Sequence, residues 1–287
     1  MNLIVRLRRR NLKKMKKTLF FLLCPIILLG QSKPSHNLKT RSPESWMVWQ
    51  IKHVSQFIER FNYQKLPNGL GFTDSTRQLY PREQYVRGLF NQEDVRLTKG
   101  KVNKYTVSVD EFLEQVYQKD SVFIGQKPAL SAIAPCLVQM LDKTDTLFFS
   151  LKKYYRSDSA SYWQVEGVKL PSMLQKIKIV ASKDTIIRHY LEPNAHEVAF
   201  LPLLRSMVDN GSILRVVPDS LRSQPALQIL ETVLKEKKIV ITVMLPPTIF
   251  LETPHGWEIQ LNDFIRETDN SGWLISNLRK KSKKHKE

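Results

Sequence analysis

The chain has 287 residues, of which 42% are hydrophobic and 25% charged, with a formal net charge of +18. That composition excludes a disordered polymer, a collagen-like repeat and a polytopic membrane protein. The charge gathers at the ends: residues 1–17 hold eight Lys and Arg and no acid, residues 279–287 hold six and one acid, and +5 remains for residues 18–278. A mildly basic body gives no general argument for nucleic-acid binding, and none is expected.

In chain order, the basic start leads into an uncharged run of 13 residues, Thr18 to Gly30, interrupted by Pro25. A membrane-spanning helix needs about 20 apolar residues, so residues 1–30 read as a signal peptide cleaved near Gly30 or Ser32. The protein is then exported to the periplasm or cell envelope. Met15 begins a complete signal by itself, so the true start is Met1 or Met15. Three other readings stay open: lipid attachment at Cys24, against which Leu23 precedes it, an uncleaved N-terminal anchor, and a buried N-terminal helix of a cytosolic protein. Two cysteines, Cys24 and Cys136, exclude a disulfide framework. Cys136 lies in the apolar stretch SAIAPCLVQML and is expected to be buried and inert.

Residues 31–44 are a polar linker. Ser42-Pro43-Glu44 is a helix start, and Met47, Ile51, Val54, Ile58 and Phe61 mark one face of a helix ending near Asn62. Further helices are expected over Arg82–Phe90 and Ser108–Gln118, the latter with Val109, Phe112, Leu113 and Val116 on one face. Thr146–Tyr155 and Ser161–Val168 form a β-hairpin, and Lys176–Val180 is an alternating strand. A second round follows. Glu197–Asp209 and Pro225–Lys235 are helices, and Lys238–Leu245, Thr248–Glu252, Gly256–Leu261 and Gly272–Leu278 are strands punctuated by Pro and Gly pairs.

Helices followed by strands favour an α+β fold over a parallel α/β sheet. Two domains, or one core, are consistent with the length. The order occurs twice, and YWQVEGVKLPSML can be laid on GWEIQLNDFIRET, which suggests two tandem units over residues 45–175 and 176–278 with a basic disordered tail at 279–287. The ending GWEIQLNDFIRETDNSGWLISNL, after two helices and long strands, resembles the nuclear-transport-factor-two-like superfamily. That resemblance implies a cone, in which a curved antiparallel sheet wraps a long N-terminal helix, here Met47–Phe61. The superfamily holds both enzymes and non-catalytic modules, so no catalytic residue is carried over.

No Gly-rich phosphate loop, H-E-x-x-H, C-x-x-C or G-x-S-x-G is present, and no cofactor or metal is expected. The catalytic candidates are groups that a cone cavity could collect: His53 on the first helix, Tyr162 beside Tyr154 and Tyr155 on the hairpin, and Asp263, near Glu267, after the Gly-Trp strand. Lys280, Lys281, Lys283 and Lys284 could meet an anionic surface or an envelope partner. The leading reading is a non-catalytic binding or interaction module at the cell envelope, with a small apolar ligand as one option. The alternatives are a cone-fold enzyme using acid–base chemistry on a small apolar substrate, and an anchored component of an envelope secretion or transfer assembly.

Overall fold

The computed structural model describes residues 46–97, 104–117, 123–158, 160–175, 177, 191 and 200–281. They belong to one unit, Arg41–Glu287. Five helices come first: α1 (Trp46–Trp49), α2 (Val54–Phe61), α3 (Asp74–Leu79), α4 (Arg82–Arg87) and α5 (Lys104–Tyr117). Strands β1 (Ala129–Met140), β2 (Lys143–Tyr155) and β3 (Ser161–Lys169) follow. After them come α6 (Leu201–Val208), α7 (Pro225–Lys235), β4 (Val240–Met244), β5 (Thr248–Glu252), β6 (Trp257–Phe264) and β7 (Gly272–Lys280). The fold is α+β as expected, with an antiparallel sheet in the order β3-β2-β1-β5-β6-β7 and β4 paired to β1. The two stretches read as tandem units share this sheet and meet at β1. Apart from Ile177, which is not in a strand, the expected strand Lys176–Val180 lies outside the described residues, as does the first part of Glu197–Asp209.

One face of the sheet builds the core. Alternate residues Leu130, Ala132, Ala134, Cys136 and Val138 of β1 are buried, as period-two geometry requires. They join Trp163, Trp257 and Trp273 and the helix residues Phe57, Phe61, Phe112, Leu227 and Leu230 in one cluster. Trp163 and Trp257 are the aligned tryptophans of the sequence echo, and both are buried. Phe112 anchors the helix–sheet contact edge-on to Trp257, with ring centroids 5.4 Å apart. The Trp257 indole donates to Gln115 Oε1 at 2.8 Å, so the ring is buried without stranding its N–H. Cys136 is fully buried, and burial pushes its thiol up to about 12, which makes it the inert cysteine expected.

The single helix expected up to Asn62 is broken at residues 50–53. Ile51 there is extended: its N–H donates to Ser271 O and its carbonyl accepts from Trp273 N. Farther along β7, Ile275 N donates to Leu89 O and Asn91 N to Ile275 O. Two helix-connecting segments thus pair with the outer edge of β7 and cover an edge that would otherwise be open to association. The helical periodicity still marks the core residues, because Ile51, Val54, Phe57 and Phe61 are buried, whereas Met47 is 43% exposed.

Pro135 interrupts a central strand, where a missing N–H normally costs a ladder bond. Its carbonyl accepts from Leu245 N at 2.9 Å, so its nitrogen faces the same flank. There β1 changes partner, from β4 along Cys136–Gln139 to β5 along Ala129–Ile133. The proline stands at the end of the β4 ladder, in the gap before the β5 ladder begins, so only the one bond it would have donated to Leu245 is forgone.

Candidate functional site

The three residues nominated as catalytic do not share a cavity. His53 is not on a helix: it is the extended residue that precedes α2, and it is exposed. Tyr162 is on β3 and Asp263 on β6, and β2, β1 and β5 lie between those strands. Four strand spacings of roughly 4.8 Å separate them by about 19 Å. His53 and Asp263 are at one end of the fold, since Ile51 pairs with the start of β7 and Asp263 lies opposite Trp273.

Tyr154 and Tyr162 face each other across β2 and β3, with rings stacked at 5.8 Å. The Tyr154 hydroxyl donates to Glu166 Oε1 at 2.8 Å; burial and the neighbouring carboxylate push its pKa up to about 12. A hydroxyl so held is a fixed donor and not a base at neutral pH. Tyr155 donates to Pro128 O at 3.0 Å and pins the hairpin to the start of β1. Lys152 and Arg156 lie over Tyr154 and Tyr162, each 5.5 Å from the ring centroid. The hairpin aromatics therefore form a cation–π surface, not an acid–base pair.

Asp263 is half-buried, and burial raises its carboxyl above the ordinary value. Below the unfolded-state value both states are protonated and no charge is desolvated. As pH rises through the native value, the cost of the buried carboxylate sets in. Asp263→Asn is accordingly expected to melt higher than wild type at pH 7 and to match it at about pH 3. Thermal melts at the two pH values check this, and a lower melting point at pH 7 would show that the carboxylate is held by a favourable contact.

The expected basic tail begins inside the sheet, because β7 runs through Lys280. Arg279 pairs with Glu258, Lys280 with Glu111, and Lys281 with Glu252 and Glu258. Local carboxylates thus meet two of the four lysines nominated for an anionic surface. Lys283 and Lys284 lie outside the described residues.

The sequence did not nominate the two surface features that stand out. The first is the sheet face turned away from the core. Ile133, Pro135 and Leu137 of β1 are half-buried there, beside Phe148 of β2, Phe250 of β5 and Val243 of β4. Phe148 is 37% and Val243 42% exposed. Between these side chains the face carries Ser131, Thr146, Ser150 and Thr248, so its centre is uncharged in a chain of net +18. Charges flank it: the Lys169 ammonium lies over the Phe148 ring, 6.0 Å from its centroid, Lys152 stands opposite Ser131, and Glu252, Glu258 and Lys281 stand at one end. Comparison with known proteins returned no match: no family model, curated protein or solved structure corresponds to this chain. Any functional reading therefore rests on the chain itself.

The second feature is a cleft of about 390 Å³ between the α1–α2 segment and the 65–69 turn. Arg60 on α2 is 6% exposed and forms part of its lining. Its guanidinium donates to the carbonyls of Val48 (3.2 Å), Trp49, Gln50 (3.5 Å) and Pro67 (3.0 Å). Three of those carbonyls close the C-terminal end of α1, where a cation suits the helix dipole. Arg60 therefore fastens α1 and the 65–69 turn to α2. Desolvation by burial lowers its pKa, although a guanidinium stays charged at any working pH. The available signal was a charge three residues from Phe57 on an apolar helix face.

Proposed function

We propose that the protein is an exported, non-catalytic interaction module whose working surface is the open sheet face, and that this face receives a second copy of the chain. The observation that carries the reading is the uncharged apolar centre formed by Ile133, Pro135, Leu137, Phe148, Val243 and Phe250. Apolar surface rimmed by charge is the usual make-up of a protein interface. Two exported chains, each of net +10 once the +8 of residues 1–17 is removed, repel wherever lysines meet, and an apolar face lets copies approach without that cost. Helices that precede an antiparallel sheet and pack on one of its faces support the resemblance to the nuclear-transport-factor-two-like superfamily, whereas the break at residues 50–53 departs from the long helix it implies; the resemblance is retained as part of this proposal. Among the described residues, no helix is long and apolar enough to cross a membrane.

Sedimentation equilibrium tests the reading. The exported chain is expected to form dimers at micromolar concentration, and Phe148→Glu with Val243→Glu is expected to give monomers with an unchanged melting point. A wild-type monomer at every concentration, or a variant that still dimerises, overturns it. The intact mass of the purified protein tests export separately: removal of residues 1–30 or 1–32 is the expected result, and a full-length mass contradicts it.

A further inference from the structure

We infer that the cleft over Arg60 is a second binding site, independent of the sheet face, and that it takes a small oxyanion bearing carboxylate or phosphate. Among the described residues its lining includes Lys52, Arg60 and Lys65 against one carboxylate, Glu59. Glu59 is exposed, whereas the Arg60 charge is buried and pairs with no carboxylate among the described residues. The four carbonyls that hold Arg60 supply dipoles but no net negative charge. A buried ion without a counter-charge is costly, and an anion entering the cleft relieves that cost.

The geometry leaves room for such a partner. Three of the four carbonyls are taken by one guanidinium nitrogen, Nη2, and the fourth by Nη1. A guanidinium has five N–H donors, so the Nε edge is not committed to those carbonyls. Lys52 is exposed beside the break between α1 and α2, and Lys65 is half-buried at the turn. The Lys65 backbone is fixed, since its carbonyl accepts from the Tyr85 hydroxyl at 2.7 Å, and its ammonium is presented from an anchored base. Asn68 and Gln56 add amide groups for further hydrogen bonds. A cleft of about 390 Å³ is within the usual range for small-molecule sites. A fixed guanidinium with two lysines is a donor set suited to oxyanions.

Titration calorimetry and thermal melts with inorganic phosphate and with citrate, at constant ionic strength, test the assignment. Saturable binding of at least one probe is expected, and the stronger probe identifies the preferred oxyanion. Lys52→Ala with Lys65→Ala is expected to weaken that binding about tenfold with no change in the melting point of the free protein. Lys152→Ala with Lys169→Ala removes the same charge from β2 and β3 and is expected to leave binding unchanged. Absence of saturable binding to either probe overturns the inference. Equal weakening in both double variants also overturns it, because the effect would then belong to net charge and not to the cleft.

Discussion

Replacing Gly272 by alanine is expected to lower the melting temperature by about 10 °C. Gly272 opens β7 with φ +82°, and a Cβ built there would lie 2.2 Å from Ile51 O and 2.6 Å from Ile51 N. The left-handed backbone alone costs a residue with a Cβ about 1–2 kcal/mol. The overlap is with backbone, so Ile51 must withdraw. Its two bonds, to Ser271 O and from Trp273 N, are then lost at about 1 kcal/mol each. The sum is about 4 kcal/mol, and a chain of this size loses about 2–4 °C per kcal/mol. Gly256 is the internal comparison. Its φ is +79°, yet the nearest atom to an added Cβ is Lys281 O at 3.8 Å. Gly256→Ala should carry only the conformational cost of about 1–2 kcal/mol. Equal losses in the two variants would mean that the clasp between Ile51 and β7 contributes little.

The second large effect is expected at Glu231, which is 1% exposed on α7. Its carboxylate accepts from Ser212 Oγ at 2.9 Å, Ile213 N at 2.9 Å and Leu214 N at 3.3 Å, with Lys235 Nζ 3.6 Å away. These bonds fix residues 212–217, where Ile213, Leu214, Val216 and Val217 enter the core. Glu231→Leu keeps the bulk of the side chain but strands two backbone N–H groups and a hydroxyl. At about 1–3 kcal/mol for each stranded donor, the expected loss is roughly 4 kcal/mol in urea or thermal unfolding. Glu231→Gln keeps one acceptor oxygen and should lose about half as much. If Glu231→Leu unfolds at the wild-type midpoint, the carboxylate does not organise this segment.

Much of the fold was legible from local pattern. Helix α7 runs over Pro225–Lys235 and β5 over Thr248–Glu252 to the residue, because a proline start and a clean apolar period define the one, and turn residues bound the other. The break at residues 50–53 was not legible. The helical period of Met47 through Phe61 continues across it, and only hydrogen bonds to β7, more than 200 residues later, pull Ile51 out of the helix. Helix α3 was missed because DSTRQL has no apolar face; a capping box between Thr73 and Thr76 supports its start. Strand β1 escaped notice because both its faces are apolar, which removes the alternation that marks a half-solvated strand.

The candidate sites were less legible than the fold for the same reason. Ile133, Pro135 and Leu137 became a surface only once β1 had a core side and an outer side. Arg60 became a cleft residue only once α1 folded back over α2. Residue type pointed instead to His53, Tyr162 and Asp263, which topology disperses over the region before α2, β3 and β6.

The most direct test places a photo-activatable cross-linker, p-benzoylphenylalanine, at position 148. A covalent dimer is expected, with the linked peptides coming from β1, β2, β4 or β5 of a second copy. Irradiation that yields no intermolecular product, or that links position 148 to the helical side of another molecule, contradicts the assignment of the open sheet face as the working surface.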